Sequence, residues 1–194
     1  MRIAVAVFEG VEELDWVGPW EVLATWARGW PDDAVTVITV GDDPQPITCA
    51  KGAKVVVDCT WEALGPIDVL VYPGGQGVRR QLGEPRIRRR LVDIADKGTL
   101  MTSVCTGALA YAAAGLLDHR PATTHWSALE DLKTLGKDIE VRADVRFVDA
   151  GSVVTAAGVS AGIDMALHLV ARLHSIERAR EVRRRIQYDP MPPV

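Results

Sequence analysis

What most constrains the fold of this chain is a set of short, uninterrupted apolar segments, each cut off by a glycine- or proline-containing loop and followed by helical spacing. Residues 2–8 (Arg-Ile-Ala-Val-Ala-Val-Phe), 35–40, 67–72 and 100–104 are of this kind. A strand that alternates apolar and polar side chains has one wet face, whereas a strand apolar throughout is covered on both. Such strands, separated by helical segments, build a parallel sheet with a layer of helices on each side. The expectation is therefore an α/β chain of flavodoxin-like design: a three-layer α/β/α sandwich with a mostly parallel central sheet. Ligands of such sheets bind beyond the carboxyl ends of the strands, so the loops after residues 8, 72 and 104 are the places to look for chemistry.

The third of these loops carries the sharpest signal. Leu100-Met101-Thr102-Ser103-Val104 reads as a buried strand that stops at Cys105, and Gly107-Ala108-Leu109-Ala110 starts a helix at once. A thiol on a strand-to-helix turn between small residues has the form of a nucleophile elbow, with Ser103 in place of the first glycine of the Gly-x-Ser-x-Gly pattern. The helix N-terminus is expected to favour the thiolate. The competing reading is a buried core cysteine.

The loop after residue 72, Pro73-Gly74-Gly75-Gln76-Gly77, offers backbone N–H groups as an anion-binding nest. It lacks the spacing of a dinucleotide or phosphate loop. In the loop after residue 8, Asp15 is enclosed by Leu14, Trp16 and Val17, while Glu12 and Glu13 read as solvent-facing. Asp15 reads two ways: a carboxyl with its pKa raised by desolvation, or a cap for the helix that Gly18-Pro19 opens over residues 19–26. His125, in Ala122-Thr123-Thr124-His125-Trp126, is the histidine placed on a loop near a strand end, and it too reads either as a structural or as a site residue. His119, His168 and His174 are assigned no chemistry. No cluster has metal-ligand spacing.

Elsewhere the pattern predicts a two-stranded excursion over residues 46–59 turning at Lys51-Gly52, and helices over 85–97 and about 127–135. It also predicts a hairpin over 142–155 turning at 149–151, then helices over 161–174 and 176–187. With 194 residues, 48% of them hydrophobic, one domain over 1–194 is expected, ending in a proline-rich tail at 188–194 that could reach a neighbouring subunit. The net charge of −4 argues against nucleic acid as a partner. The arginine-dense stretches 86–90 and 178–185 read as solvated helix faces. Met1 leads straight into an apolar strand too short to cross a bilayer, and Cys49, Cys59 and Cys105 form no Cys-x-x-Cys pair. A cytoplasmic location with no membrane partner is expected, and Cys49 and Cys59 read as packing residues.

Gly18-Pro19 after Leu14-Asp15, Pro73-Gly74-Gly75, Ser103-Val104-Cys105-Thr106-Gly107, Thr123-Thr124-His125-Trp126, Gly162-Ile163-Asp164 and the ending Tyr188-Asp189-Pro190-Met191-Pro192-Pro193 together resemble the ThiJ/PfpI superfamily, and within it the isonitrile hydratase branch. The resemblance spans nearly the whole chain. It implies addition of water to R–N≡C, giving the N-substituted formamide through a thioimidate, without metal or organic cofactor. It further implies Cys105 as nucleophile, Asp15 as partner acid, Thr106 as a neighbour giving hydroxyl and backbone contacts, and Gly74 and Gly75 as backbone donors. Trp16 and Trp126 would wall an apolar pocket, with His125 among the substrate-binding residues, and a homodimer is expected. The superfamily's peptidase members carry a histidine directly after the cysteine, where this chain has Thr106. Relatives fused to AraC-type DNA-binding regions need a helix-turn-helix for which residues up to Val194 leave no room, which favours a free-standing enzyme. A glyoxalase or deglycase acting on α-oxoaldehydes and a cysteine-based sensor are the alternatives.

Overall fold

The computed structural model describes residues 1–191. The chain opens with β1 (Arg2–Ala6) and α1 (Glu13–Gly29), then β2 (Thr36–Gly41), an antiparallel pair β3 (Ile47–Thr48) and β4 (Lys54–Val55), and the short strand β5 (Cys59–Thr60). Next, β6 (Val69–Tyr72) leads to α2 (Gln76–Gln81) and α3 (Pro85–Ala95), and β7 (Leu100–Val104) leads to α4 (Gly107–Ala113). A parallel pair, β8 (Pro121–Ala122) with β9 (Glu140–Val141), brackets α5 (Leu129–Leu135). The hairpin β10 (Phe147–Asp149) and β11 (Val153–Ala156) precedes α6 (Ala161–Leu173) and α7 (Ile176–Arg185).

Seven strands form the main sheet in the order β10-β11-β7-β6-β1-β2-β5, parallel except for β10. Alternate residues of each strand serve opposite layers. Ile3 and Val5 of β1 pack with Val22 and Leu23 of α1 and Met165 and Leu169 of α6, whereas Ala4 and Ala6 face the layer holding Leu91, Leu109 and Leu132. Each fully buried aliphatic side chain contributes about 1.5–3 kcal/mol relative to exposure, so both faces of the sheet are firmly held. The expected α/β/α sandwich is thus realised, with β1, β6 and β7 delivering their carboxyl ends to one edge.

Several boundaries differ from the sequence expectation. The first helix begins at Glu13 rather than Pro19, and Pro19 lies inside it. The Gly18-Pro19 pair, which reads as a start signal, serves a close helix crossing. A side chain at Gly18 would meet Ile163 of α6, and one at Gly162 would meet Pro19 and Val104. Asp15 consequently sits in the first turn of α1 instead of in the preceding loop, and it makes no capping bond. Cys59 leaves the expected excursion and pairs with the main sheet, where Cys59 lies beside Val40. Glu12 and Glu13 are not solvent-facing: Glu13 accepts from the N–H of Lys51 at 2.7 Å, and Glu12 pairs with the Lys51 ammonium, which ties the β3–β4 turn to α1.

The arginine-dense helices present exposed arginines as expected, at Arg86, Arg88, Arg89, Arg180 and Arg183 to Arg185, with two exceptions. Arg90 lies over the Trp61 ring and pairs with Asp42 at 2.9 Å, and Arg178 lies over Trp30 while bonding Asp33 at 2.7 Å. Of the tail, Tyr188 folds back onto its own chain, donating to Asp164 at 3.1 Å, and residues 192–194 lie outside the described residues. No helix among the described residues is long and apolar enough to cross a membrane.

Gly107 marks the tightest approach of β6 to the elbow, because a Cβ there would overlap the Tyr72 carbonyl oxygen and crowd Pro73 at 2.9 Å. Gly107→Ala is expected to lower stability by about 1–3 kcal/mol, a fall in Tm of roughly 3–10 °C in a circular dichroism melt. An unchanged Tm would mean that the loop after β6 yields without cost.

Candidate active site

The site is assembled from three strand ends. Cys105 stands between the last residue of β7 and the start of α4 with φ 57°, in the left-handed region that a β-carbon disfavours. Such a conformation costs of order 1–3 kcal/mol and persists only where its surroundings enforce it. Here they do. The Cys105 N–H donates to the carbonyls of Ala156 and Ala157 at 3.2 and 3.1 Å, and the Thr124 hydroxyl donates to the Cys105 carbonyl at 2.7 Å. The thiol is left 6% exposed, facing the backbone N–H groups of Thr106 and Val159 on one side and the Asp15 carboxyl on the other.

Asp15 is wholly buried while its neighbour Leu14 is 38% exposed, the reverse of their hydropathies. The carboxyl is turned inward by its place on α1 and held there by the Gly74 N–H, which donates to Oδ2 at 3.0 Å. Its Oδ1 is buried with no hydrogen-bond partner among the described residues. Burial pushes the Asp15 pKa up to about 7, against the pull of the Gly74 and Cys105 hydrogen bonds. Of the two readings of Asp15, the desolvated carboxyl is the one observed.

The thiol does not follow the sequence expectation of a thiolate. Burial, and then the adjacent Asp15 charge, push the Cys105 pKa up to about 12, outweighing the Thr106 and Val159 N–H groups. The helix behind it, α4, has only seven residues, too few for its dipole to offset desolvation. Burial thus works against the thiolate in the resting site, with the Asp15 carboxyl facing the thiol.

The glycine nest forms, but it is turned on the protein's own groups. The Gly74 N–H is given to Asp15, and the Gly75 N–H to the Thr106 hydroxyl oxygen at 3.0 Å, so neither is a free donor as expected. With its oxygen accepting from Gly75, Thr106 retains its own O–H to donate. Gly75 has φ 110°, and a Cβ there would overlap the Glu12 N–H, which itself donates to the Gly74 carbonyl at 3.0 Å. Only glycine lets the loop after β6 lie this close to the start of α1. The donors that do face the sulfur belong to Thr106 and to Val159. Val159 carries φ 46° in the loop after β11, and no motif in the sequence signalled it.

The remaining sequence candidates lie further out. The Trp16 indole sits beside Cys49 and also packs against the core cluster that holds Cys105. His125 caps the short helical turn Trp126–Ala128 through Nδ1, which accepts from the Ser127 N–H at 3.3 Å and lies 2.8 Å from the Ser127 hydroxyl. Its ring rests on Gly158, where a Cβ would overlap it. Trp126 is 78% exposed. Buried Cys49 and half-buried Cys59 are packing residues whose thiols burial raises.

Residues 1–172 of this chain match the model of the DJ-1/PfpI family. The chain belongs to that family. Among its relatives, an isonitrile hydratase of Pseudomonas putida is 36% identical over 193 residues, covering 100% of this chain and 81% of that protein. A glutathione-independent glyoxalase of Caenorhabditis elegans is 26% identical over 176 residues, covering 90% of this chain and 89% of that one. The crystal structure of a ThiJ/PfpI family protein from Pseudomonas syringae superposes with a TM-score of 0.89 at 30% identity, covering 100% of this chain and 77% of that one. The DJ-1/PfpI assignment accounts for the mostly parallel sheet between its helices, and its named members differ in chemistry.

Proposed function

We propose that this DJ-1/PfpI protein is an isonitrile hydratase. The observation that carries the reading is the buried Cys105 thiol set beside Asp15 and Thr106, with no histidine among its described hydrogen-bond partners, and the similarity to the Pseudomonas putida enzyme supports it. Peptide hydrolysis needs a base of imidazole strength beside the thiol. An isonitrile carbon needs something else, a nucleophile and a proton delivered to the same atom.

Cys105 supplies the first and Asp15 relays the second. As sulfur bonds to the terminal carbon of R–N≡C, the thiol proton passes to the Asp15 carboxylate and from there to that carbon, giving the thioimidate R–N=CH–S–Cys105. Asp15, ionised again, then takes a proton from water as its oxygen adds to the same carbon. That proton goes to nitrogen, the C–S bond breaks, and the second water proton returns to sulfur as R–NH–CHO leaves. The sum is R–NC plus water. A carboxyl with pKa about 7 serves in both directions at neutral pH. The Thr106 hydroxyl and the Thr106 and Val159 N–H groups stabilise charge on sulfur as the C–S bond forms and breaks.

Rapid quenching during turnover of a small isonitrile is expected to leave an adduct of the isonitrile's mass on Cys105, and none on Cys49 or Cys59, in peptide mass spectrometry. An adduct elsewhere, or none with turnover intact, removes the scheme. Incubation with methylglyoxal while following lactate tests the glyoxalase reading, which the Caenorhabditis elegans relative favours.

A further inference from the structure

Two stretches that carry the family resemblance, Gly162-Ile163-Asp164 and the tail at Tyr188, have no part in the scheme above, yet both lead to the loop that supplies its Val159 donor. Residues 157–160 run from β11 to α6 past the nucleophile: the Ala157 carbonyl accepts from the Cys105 N–H at 3.1 Å, and the Val159 N–H faces the Cys105 sulfur. To do so Val159 holds φ 46°. A β-branched side chain makes that conformation an outlier, one that the surroundings must enforce. We infer that Arg146 enforces it, as a positioning residue that holds the Val159 N–H on the sulfur by tying down the far end of the loop. The consequence for turnover rests on the hydratase reading; the consequence for the loop does not.

Three observations support the assignment. The first is that Arg146 grips the loop at both ends. Its carbonyl accepts from the Ala157 N–H at 2.9 Å, while its guanidinium donates to the Ser160 hydroxyl oxygen at 3.0 Å and, through Nε, to Asp164 Oδ2 at 2.8 Å in the first turn of α6. Val159 lies between these holds. The Ser160 hydroxyl has no other hydrogen-bond partner among the described residues.

The second is that apolar packing does not fix Val159. Its side chain is half-buried and belongs to neither apolar layer of the sheet, and its neighbour Gly158 restricts the backbone least of any residue. The Val159 carbonyl takes only a long bond, 3.4 Å, from the Gly162 N–H. Hydrogen bonds from outside the loop therefore set its shape.

The third is that Asp164 is itself held. The Tyr188 hydroxyl donates to its other oxygen, Oδ1, at 3.1 Å, and α6 cannot slide, because a Cβ at Gly162 would already crowd Pro19 and Val104 at 3.1 Å. Val104 is the last residue before Cys105, so the anchor and the nucleophile share one strand end. With the Arg146 side chain 51% exposed, the ion pair adds little to global stability. Its work is local, a choice between two conformations of one loop.

The test is a double-mutant cycle of Arg146→Met and Val159→Gly, since glycine adopts φ 46° without the penalty. The first readout, hydrogen exchange followed by NMR, needs no turnover. Arg146→Met is expected to lower the protection of the amide at position 159 about 10-fold or more, with the amides of β6 changed under about twofold. In the Val159→Gly background the same substitution is expected to lower it under about threefold. The second readout is kcat on a small isonitrile: a loss of about 10-fold for Arg146→Met at a KM changed under about twofold, shrinking to under about threefold when Val159→Gly is already present. Protection at position 159 unchanged by Arg146→Met, a fall shared equally by β6, or equal losses in the two backgrounds overturns the positioning role. Should the wild type hydrate no isonitrile, the hydratase reading falls, and the exchange cycle decides the role of Arg146 by itself.

Discussion

With Cys105 replaced by alanine, formamide production from a small isonitrile is expected to fall to the uncatalysed background, a loss of roughly 10⁴-fold or more. The physical reason is that no other group can form the C–S bond: Cys49 is buried beside Trp16, and Cys59 lies in the strand at the far edge of the sheet. The substitution keeps a β-carbon at a position of φ 57° and removes one buried sulfur, so the fold should persist with a loss of about 1 kcal/mol. Detection of the formyl proton by NMR, with a thermal melt as control, decides the matter. Turnover by a folded Cys105→Ala protein at the wild-type rate would end the nucleophile assignment.

Asp15→Asn carries the second large effect. The amide can still accept the Gly74 N–H bond, but it can neither take the thiol proton nor return it, and a loss of about 10²–10⁴-fold in kcat/KM is expected. The pH profile distinguishes this from a structural defect. Thiol attack requires the carboxylate form of Asp15, so the wild-type kcat/KM rises with pH through about 7 and then levels. In Asp15→Asn that inflection should vanish. A retained inflection near 7 would assign it to another group.

Stability responds to the same carboxyl with the opposite sign. Its pKa is raised on folding from 3.8 to about 7, so the folded state binds the extra proton between those values. The contribution is fully present below 3.8 and is lost as pH rises through about 7, amounting to roughly 4 kcal/mol across the interval. The difference in Tm between Asp15→Asn and wild type should therefore grow in favour of the variant from pH 5 to pH 8. A difference independent of pH would place the Asp15 pKa near its ordinary value. The site trades stability for a carboxyl that can move a proton at neutral pH.

How much of this was legible in the chain depends on whether the signal was local. Strand β7 was readable to the residue, because five buried positions end at a helix-forming run with no ambiguity of period. The local signal puts the start of the first helix six residues late, because Gly18-Pro19 reads as a strong start while its use is tertiary, at the crossing with Gly162 and Ile163. Val159 carries no local signal, for a related reason. A β-branched residue gives no hint of positive φ, and its value lies in an N–H placed by the end of a strand fifty residues beyond the cysteine.

From sequence alone came the layered α/β design, the elbow at Cys105, the glycine loop and an acid with an unusual neighbourhood, since each is written in the order of residue types along a few positions. Which group would be charged was decided only in three dimensions. Burial depends on what packs over a residue: α1 carries Asp15 beneath the glycine loop, and the loop after β11 closes over Cys105. Desolvation there exceeds what a seven-residue helix can return through its dipole. Burial consequently pushes the elbow thiol away from the thiolate that the turn by itself would suggest and raises the pKa of the carboxyl it faces.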